Sequence, residues 1–307
     1  MRQPSTKVKK YLTAARLGLA VQSIPLEGIS FRSWEFRLSA GLTSESNIFL
    51  ELGESRPDWI TSLGGQAEAQ FRLGNKMTLI PFLSLRFNRY HRYAVATYPQ
   101  IIGGLELRSG IHRLQVEWSS AQGRLLYMSP QSRDVIYDSR TLRAMYRVRL
   151  SSPLILRLGY ERERQDYGQT APGRSMIRNA WVAELHFKVS SLLTPRLGVS
   201  WGRENAREVD YSFNRPEIMV AASFSRPGGL NMFLRYRLAW RNYITEIITD
   251  RNFGRHDRHH NLLLEIRIPL QAHLVLILKD NFKKKISSRL DVNFTDNVIA
   301  SEVVFSF

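Results

Sequence analysis

The sequence predicts an all-β fold, a transmembrane up-and-down antiparallel β-barrel of 16 strands, with 14 as the alternative. Apolar and polar residues alternate with period two through most of the chain, the pattern of strands with two different faces. The links between alternating runs are by turns short and long, as in a barrel with tight turns at one end and loops at the other. No apolar run approaches the roughly 18 residues of a membrane helix, and mean hydropathy is only -0.27.

The strands are expected at 11–22, 30–42, 46–54, 62–73, 76–90, 99–109, 111–125, 141–150, 153–165, 176–190, 194–206, 213–226, 230–245, 257–268, 271–283 and 294–307. The count falls to 14 if the first two are lost. In 30–42, Trp34, Phe36 and Leu38 alternate with Glu35 and Arg37, and in 111–125, Leu114, Val116 and Trp118 alternate with Arg113, Gln115 and Glu117. Strand 141–150 sets Leu142, Ala144, Tyr146 and Val148 against Arg143, Met145, Arg147 and Arg149. Strand 176–190 sets Trp181, Ala183, Leu185 and Phe187 against Val182, Glu184, His186 and Lys188. The cleanest run is 230–245, where Leu230, Met232, Leu234, Tyr236, Leu238 and Trp240 oppose three arginines, Arg235, Arg237 and Arg241. Leu262, Leu264, Ile266 and Ile268 oppose Glu265 and Arg267 in 257–268. Short links fall at Gly74-Asn75, Ser109-Gly110, Ser151-Ser152, 191–194, 226–229 and 269–271; the polar links near 91–98, 126–140, 165–176, 205–212, 245–256 and 284–293 are longer. Sixteen strands of roughly 10 to 11 residues use about 170 positions, so one barrel domain, 11–307, follows a tail at 1–10. The N-terminus is basic, but Arg16 interrupts its apolar stretch and no small-residue cleavage site follows, so no signal peptide is expected.

Lipid decides which way the barrel faces. A soluble barrel of 14 to 16 strands would have to fill a lumen too wide for side chains. Turned outward, the apolar faces meet hydrocarbon, and closure satisfies the backbone groups there. Trp34, Trp118, Trp181, Trp201, Tyr236 and Trp240 then form an aromatic girdle. At the end of the chain, Val303, Phe305 and Phe307 share one face of an alternating strand, which resembles the signal by which bacterial outer-membrane barrels engage their assembly machinery.

Charge supplies the functional expectation. The 307 residues carry a formal charge of +17, with 35 Arg among the 44 basic residues. Alternation turns Arg16, Arg37, Arg86, Arg113, Arg143, Arg147, Arg149, Arg157, Arg196, Arg235, Arg237, Arg241 and Arg267 inward, together with Glu35, Glu106, Glu117, Glu161, Glu163, Glu184 and Glu265. An arginine-rich lumen favours anions. The expectation is a pore or export conduit for anionic solutes or an acidic polysaccharide. The alternative is a closed structural or assembly barrel braced by Arg and Glu pairs, possible as the membrane part of a longer repeat-containing protein. Arg162 and Arg164 break the pattern: they share the face of Leu154, Leu156 and Leu158, and must lie beyond the hydrocarbon.

Other chemistries find little support. The absence of cysteine removes disulfides, thiol nucleophiles and Cys-ligated zinc. His256, Asp257, His259 and His260 form the one His cluster, and adjacent His259 and His260 cannot share a strand face. No metal, cofactor or enzyme activity is expected. Nucleic-acid binding would concentrate the basic residues on one patch with exposed aromatics, whereas here they are spread over nearly all strands. Partners are expected to be outer-membrane lipid, lipopolysaccharide and the barrel assembly machinery. Arg251, Arg255, Arg258 and Lys283 to Lys285 are assigned to the longer loops or the strand ends beside them, where they would meet lipopolysaccharide phosphates or, as the commoner alternative, be solvated loop charge.

Several segments carry a resemblance. Phe36 to Pro57 (FRLSAGLTSESNIFLELGESRP), with Ser44-Glu45-Ser46-Asn47-Ile48-Phe49 at its centre, resembles the early strands of porins associated with exopolysaccharide operons and of barrels that follow tetratricopeptide repeats. Asp58-Trp59-Ile60 before Leu63-Gly64-Gly65, Arg255-His256-Asp257, and Ser287-Ser288 followed by Asp291, Asn297 and Phe307 are similar to later parts of the same group. The resemblance implies a Gram-negative outer-membrane barrel involved in transport.

Overall fold

A computed structural model describes residues 29–46, 57–92, 98–125, 135–168 and 172–307. They form one closed antiparallel barrel of fourteen strands. The strands are β1 (Ile29–Glu45), β2 (Asp58–Leu73), β3 (Met77–Tyr90), β4 (Tyr98–Ser109), β5 (His112–Leu125), β6 (Val135–Arg149) and β7 (Leu154–Asp166). They continue with β8 (Met176–Phe187), β9 (Leu193–Ala206), β10 (Phe213–Ser225), β11 (Asn231–Tyr243), β12 (His256–Gln271), β13 (Leu274–Ser287) and β14 (Phe294–Ser306). Each strand pairs with its sequence neighbours, and β1 closes the ring on β14 from Arg37↔Ser306 to Glu45↔Val298.

The expected count of 16 is corrected to 14. The strand expected at 30–42 is present as β1, while 11–22 and nearly all of 46–54 lie outside the described residues, as does the tail at 1–10. The ring closes among the described strands, because β1 pairs directly with β14 on one side and with β2, from Ile29↔Leu73 to Glu45↔Asp58, on the other. Alternation predicts that a segment suits a strand; it does not say whether an edge is left for it to pair with. The start of β6 also differs, since Val135 to Arg140 belong to the strand and not to the preceding link.

The two ends of the barrel are built differently. At the turn end, β4 and β5 are joined by two residues, and Gly110 there has φ 56, a left-handed conformation that suits glycine in a tight hairpin. The loop end is tied by side chains. Asn252 is buried and bonds Asp210 from both its backbone N–H and its side-chain amide (2.8 Å each). Arg255, also buried, donates to Asp257 (2.9 and 2.7 Å) and to Asn252 (2.7 Å).

Side chains inside the wall are fitted against glycine. Phe82 stands opposite Gly104, and a Cβ added at Gly104 would fall 2.6 Å from its ring and against the Val116 carbonyl. Because backbone cannot move aside cheaply, Gly104→Ala is expected to destabilise the barrel by about 1–3 kcal/mol. Gly65→Ala, whose Cβ would lie 3.9 Å from Leu38, should be nearly neutral. Urea unfolding of the two variants in detergent micelles checks the difference.

Candidate pore lining

Contacts that skip strands establish the inner face. Arg86 on β3 reaches Glu302 on β14 at 2.5 Å, past both intervening strands, and Lys283 on β13 reaches Glu45 on β1 at 3.6 Å, past β14. Such contacts run through the interior. Carried around the ring by the register, this face holds Arg37, Arg113, Arg143, Arg147, Arg149, Arg157, Arg196, Arg235, Arg237, Arg241 and Arg267, with Glu117, Glu161, Glu163, Glu184 and Glu265. Arg16 lies outside the described residues. Although enclosed by the wall, the side chains of Arg113 and Arg143 each keep 45% of their surface exposed and Arg267 keeps 55%, so the lumen has room for water.

The inward charges fall into two tiers on the wall from β4 to β11. Toward the loop end, acids and arginines alternate along adjacent strands. Arg143 contacts Glu117 (3.6 Å) and Glu161 (2.5 Å), and Arg178 contacts Glu161 (3.2 Å), Glu163 (3.7 Å) and Glu204 (3.8 Å). The chain continues through Arg215 to Glu204 and Glu217 (3.5 Å each) and ends with Arg237 on Glu217 (2.9 Å). Alternating sign braces neighbouring strands. Arg178, Arg215, Glu204 and Glu217 were not among the expected lining residues. They lie near the loop end, where the outward face is polar as well (Arg203, Asn205), and the alternation that marks a face disappears.

The second tier lies toward the turn end and is not balanced. Arg108 faces Arg113, Arg113 faces Arg147, and Arg147 faces Arg157 on the successive strands β4 to β7. The row resumes at Arg196, beside His186, and at Arg235, with only Ala221 between those two arginines. Arg149 adds a seventh guanidinium one inward position below Arg147. Two carboxylates serve this tier: Glu106 is shared by Arg108 and Arg113, and Glu184 accepts from Arg157 (3.0 Å) and contacts His186 (3.0 Å). Among the described residues, Arg147, Arg149, Arg196 and Arg235 have no carboxylate partner. Arg196 instead donates to Ser223 (2.8 Å) and lies over the Phe233 ring at 5.2 Å. Like charges directly across a strand pair are destabilising, so this tier is not explained by bracing. On the remaining wall Arg267 and Lys279 pair with Glu265, Lys279 and Arg86 with Glu302, and Arg37 with Glu35, whereas Arg72, at the turn end of β2, donates to the Gly74 and Asn75 carbonyls and to no carboxylate among the described residues.

Outside, apolar side chains form a continuous belt. Trp181 and Trp201 stand directly opposite each other, 67% and 59% exposed, with Tyr160 4.8 Å from Trp181. Trp201 and Trp240 lie toward the loop end, Trp181 stands halfway along its strand, and Trp34 lies toward the turn end. Trp118 and Tyr236 stand halfway along their strands, within the belt, where the Tyr236 hydroxyl is bonded to His260 Nδ1 (2.8 Å). Val303, Phe305 and Phe307 point outward on the last strand, with Phe305 and Phe307 rings 4.6 Å apart.

One expectation is corrected. Arg255 and Lys285 are buried on Asp257, and Lys283 is held inside by Asp296 (2.9 Å) and Glu45, so these three do not present charge to lipid. Arg258 and Lys284 do face outward. The His cluster is split by the wall, with His259 inward and His260 outward. Among the described residues no three His, Cys, Asp or Glu stand together as a metal site.

No protein-family model matches the chain, and no curated protein does. The resemblance to exopolysaccharide-operon and repeat-associated barrels therefore receives no support from relatives. Solved structures do match. An anion-selective porin from Comamonas acidovorans superposes with a TM-score of 0.50 at 9% identity, over 91% of this chain and 100% of that one. OmpT, an outer membrane protein of Vibrio cholerae, in its trimer form, superposes with a TM-score of 0.53 at 7% identity, over 92% of this chain and 100% of that one. The chain has the fold of an outer-membrane porin barrel. At such identities the porin likeness is one of architecture: an outward apolar belt, an inward polar face and a closed antiparallel ring, which in this chain is lined by seven arginines in one tier.

Proposed function

We propose that the protein is a diffusion pore of the Gram-negative outer membrane, without catalytic activity, whose lumen favours small anions. The turn-end arginine tier carries this reading. It places four guanidinium groups side by side on β4 to β7, where Glu106 serves Arg108 and Arg113, Glu184 serves Arg157, and Arg147 has no carboxylate partner among the described residues. A low-dielectric wall concentrates the field of such a row into the lumen and raises the local anion concentration. The anion selectivity of one structural neighbour, the Comamonas acidovorans porin, agrees with the proposal. The alternating loop-end tier favours the bracing role of the alternative reading, and the two roles divide between levels of one wall.

Efflux from liposomes tests the proposal. Vesicles containing the refolded protein should release a trapped monosaccharide acid faster than a neutral monosaccharide of equal size. Retention of both solutes by vesicles that contain a heat-modifiable barrel would support the closed structural barrel instead.

A further inference from the structure

Arg162 and Arg164, the residues that break the outward apolar face, belong to a larger cluster. Arg140 on β6 faces Arg164 on β7, Arg162 faces Asn179 on β8, and Asn179 faces Arg203 on β9, so four exposed arginines share the outer surface at the loop end. The carboxylates on this surface are Asp166, 3.5 Å from Arg164, and Asp138, which faces Asp166. Arg203 donates to Asn205 (2.8 Å), and among the described residues Arg140, Arg162 and Arg203 make no ion pair. Immediately below lies an apolar trough of about 770 Å³, floored by small residues such as Ala144 and Ala183 and walled by Leu158, Trp181, Trp201 and Pro216. Arg162 and Arg203 each stand two residues along the strand from an aromatic wall of the trough, Tyr160 and Trp201.

We propose that this surface binds a multiply acylated, doubly phosphorylated glycolipid of the outer leaflet, the lipid A part of lipopolysaccharide. The inference rests on the membrane placement proposed above, with long loops outside. Guanidinium forks pair bidentately with phosphate, and basic residues at the membrane interface attract anionic headgroups. Arg140 and Arg203 are separated by three interstrand steps, about 14 Å, more than one phosphate can bridge but suited to two phosphates on a disaccharide. The trough below receives acyl chains where the strands leave the headgroup layer.

Binding of hexa-acylated, bisphosphorylated lipid A to the detergent-solubilised barrel, read by native mass spectrometry, tests the site. The R140Q/R162Q/R164Q/R203Q variant should bind at least tenfold more weakly, whereas R258Q/K284Q, on the outer surface of β12 and β13, should bind as the wild type does. Inorganic phosphate at equal concentration should not compete. Unchanged binding by the quadruple variant, or equal affinity of the wild type for phosphatidylglycerol, would overturn the proposal. Should the quadruple variant fail to give a heat-modifiable barrel, R162Q alone is read, with at least a threefold loss expected and no loss contradicting the site. Conductance of the quadruple variant should match the wild type, so a failure of the pore reading and a failure of the lipid site are separable.

Discussion

Arg147→Glu is expected to weaken anion preference and strengthen the barrel in the same variant. Arg147 lies between Arg113 and Arg157 on adjacent strands and has no carboxylate partner among the described residues. Glutamate at this position would turn two like-charge cross-strand neighbours into opposite-charge ones, and such pairs are worth about 0.2–1 kcal/mol each. The urea midpoint should therefore rise. The net charge of the turn-end tier falls by two, so the chloride-to-potassium permeability ratio should fall at least twofold. Adding Arg196→Glu should bring it close to one or below. A residue whose role is bracing behaves in the opposite way: its replacement lowers stability and leaves selectivity alone. A less stable Arg147→Glu barrel with unchanged selectivity would assign the arginine tier to structure.

Asp257→Ala is expected to produce the largest loss of stability. Asp257 is fully buried at the loop end and accepts from Arg255 (2.9 and 2.7 Å) and from Ser287 (2.5 Å), with Lys285 Nζ at 3.3 Å. Removing its carboxylate strips the counter-charge from two buried cations, a change that costs about 3–5 kcal/mol. It also loosens the anchoring of the β11–β12 link, since Arg255 connects Asp257 to Asn252 and Asn252 to Asp210. The comparison is Asp166→Ala, which breaks an exposed pair with Arg164 and should cost no more than about 1 kcal/mol. The temperature at which the fast-migrating folded band is lost on gels reads both variants. Equal losses would show that the Asp257 cluster does not hold the loop end.

The fold and the two faces were legible in the sequence because period-two alternation is a direct consequence of strand geometry. Asn231 to Tyr243 and Leu142 to Arg149 alternate between the two faces as read, since one side of each strand meets an apolar surrounding and the other a polar one. Strand number was less legible. The segments 11–22 and 46–54 carry enough alternation to suit a strand, but only the pairing of β1 with both β2 and β14 decides that the ring is complete without them. Burial at the loop end was not legible either. Arg255, Lys283 and Lys285 look like solvated loop charge, and only the contacts of Asp257, Asp296 and Glu45 turn them inward.

The arrangement within the lumen required register. A list of inward residues mixes Arg143, which has two glutamates, with Arg147, which has none. Which arginine faces which glutamate depends on turn lengths, and a shift of two positions leaves every side chain on its face but changes all its neighbours. Sequence alone therefore gave an excess of inward arginine over glutamate without showing that the excess gathers at one level. Arg108, Arg178 and Arg215 escaped notice for the related reason that alternation fades toward strand ends.

The reversal potential of the purified protein in a planar bilayer, across a tenfold potassium chloride gradient, tests the central claim most directly. An arginine tier that governs permeation predicts a reversal potential of the sign set by chloride. It should move toward zero in Arg147→Glu. A potential of the sign set by potassium, from a barrel that inserts and conducts, would contradict the account.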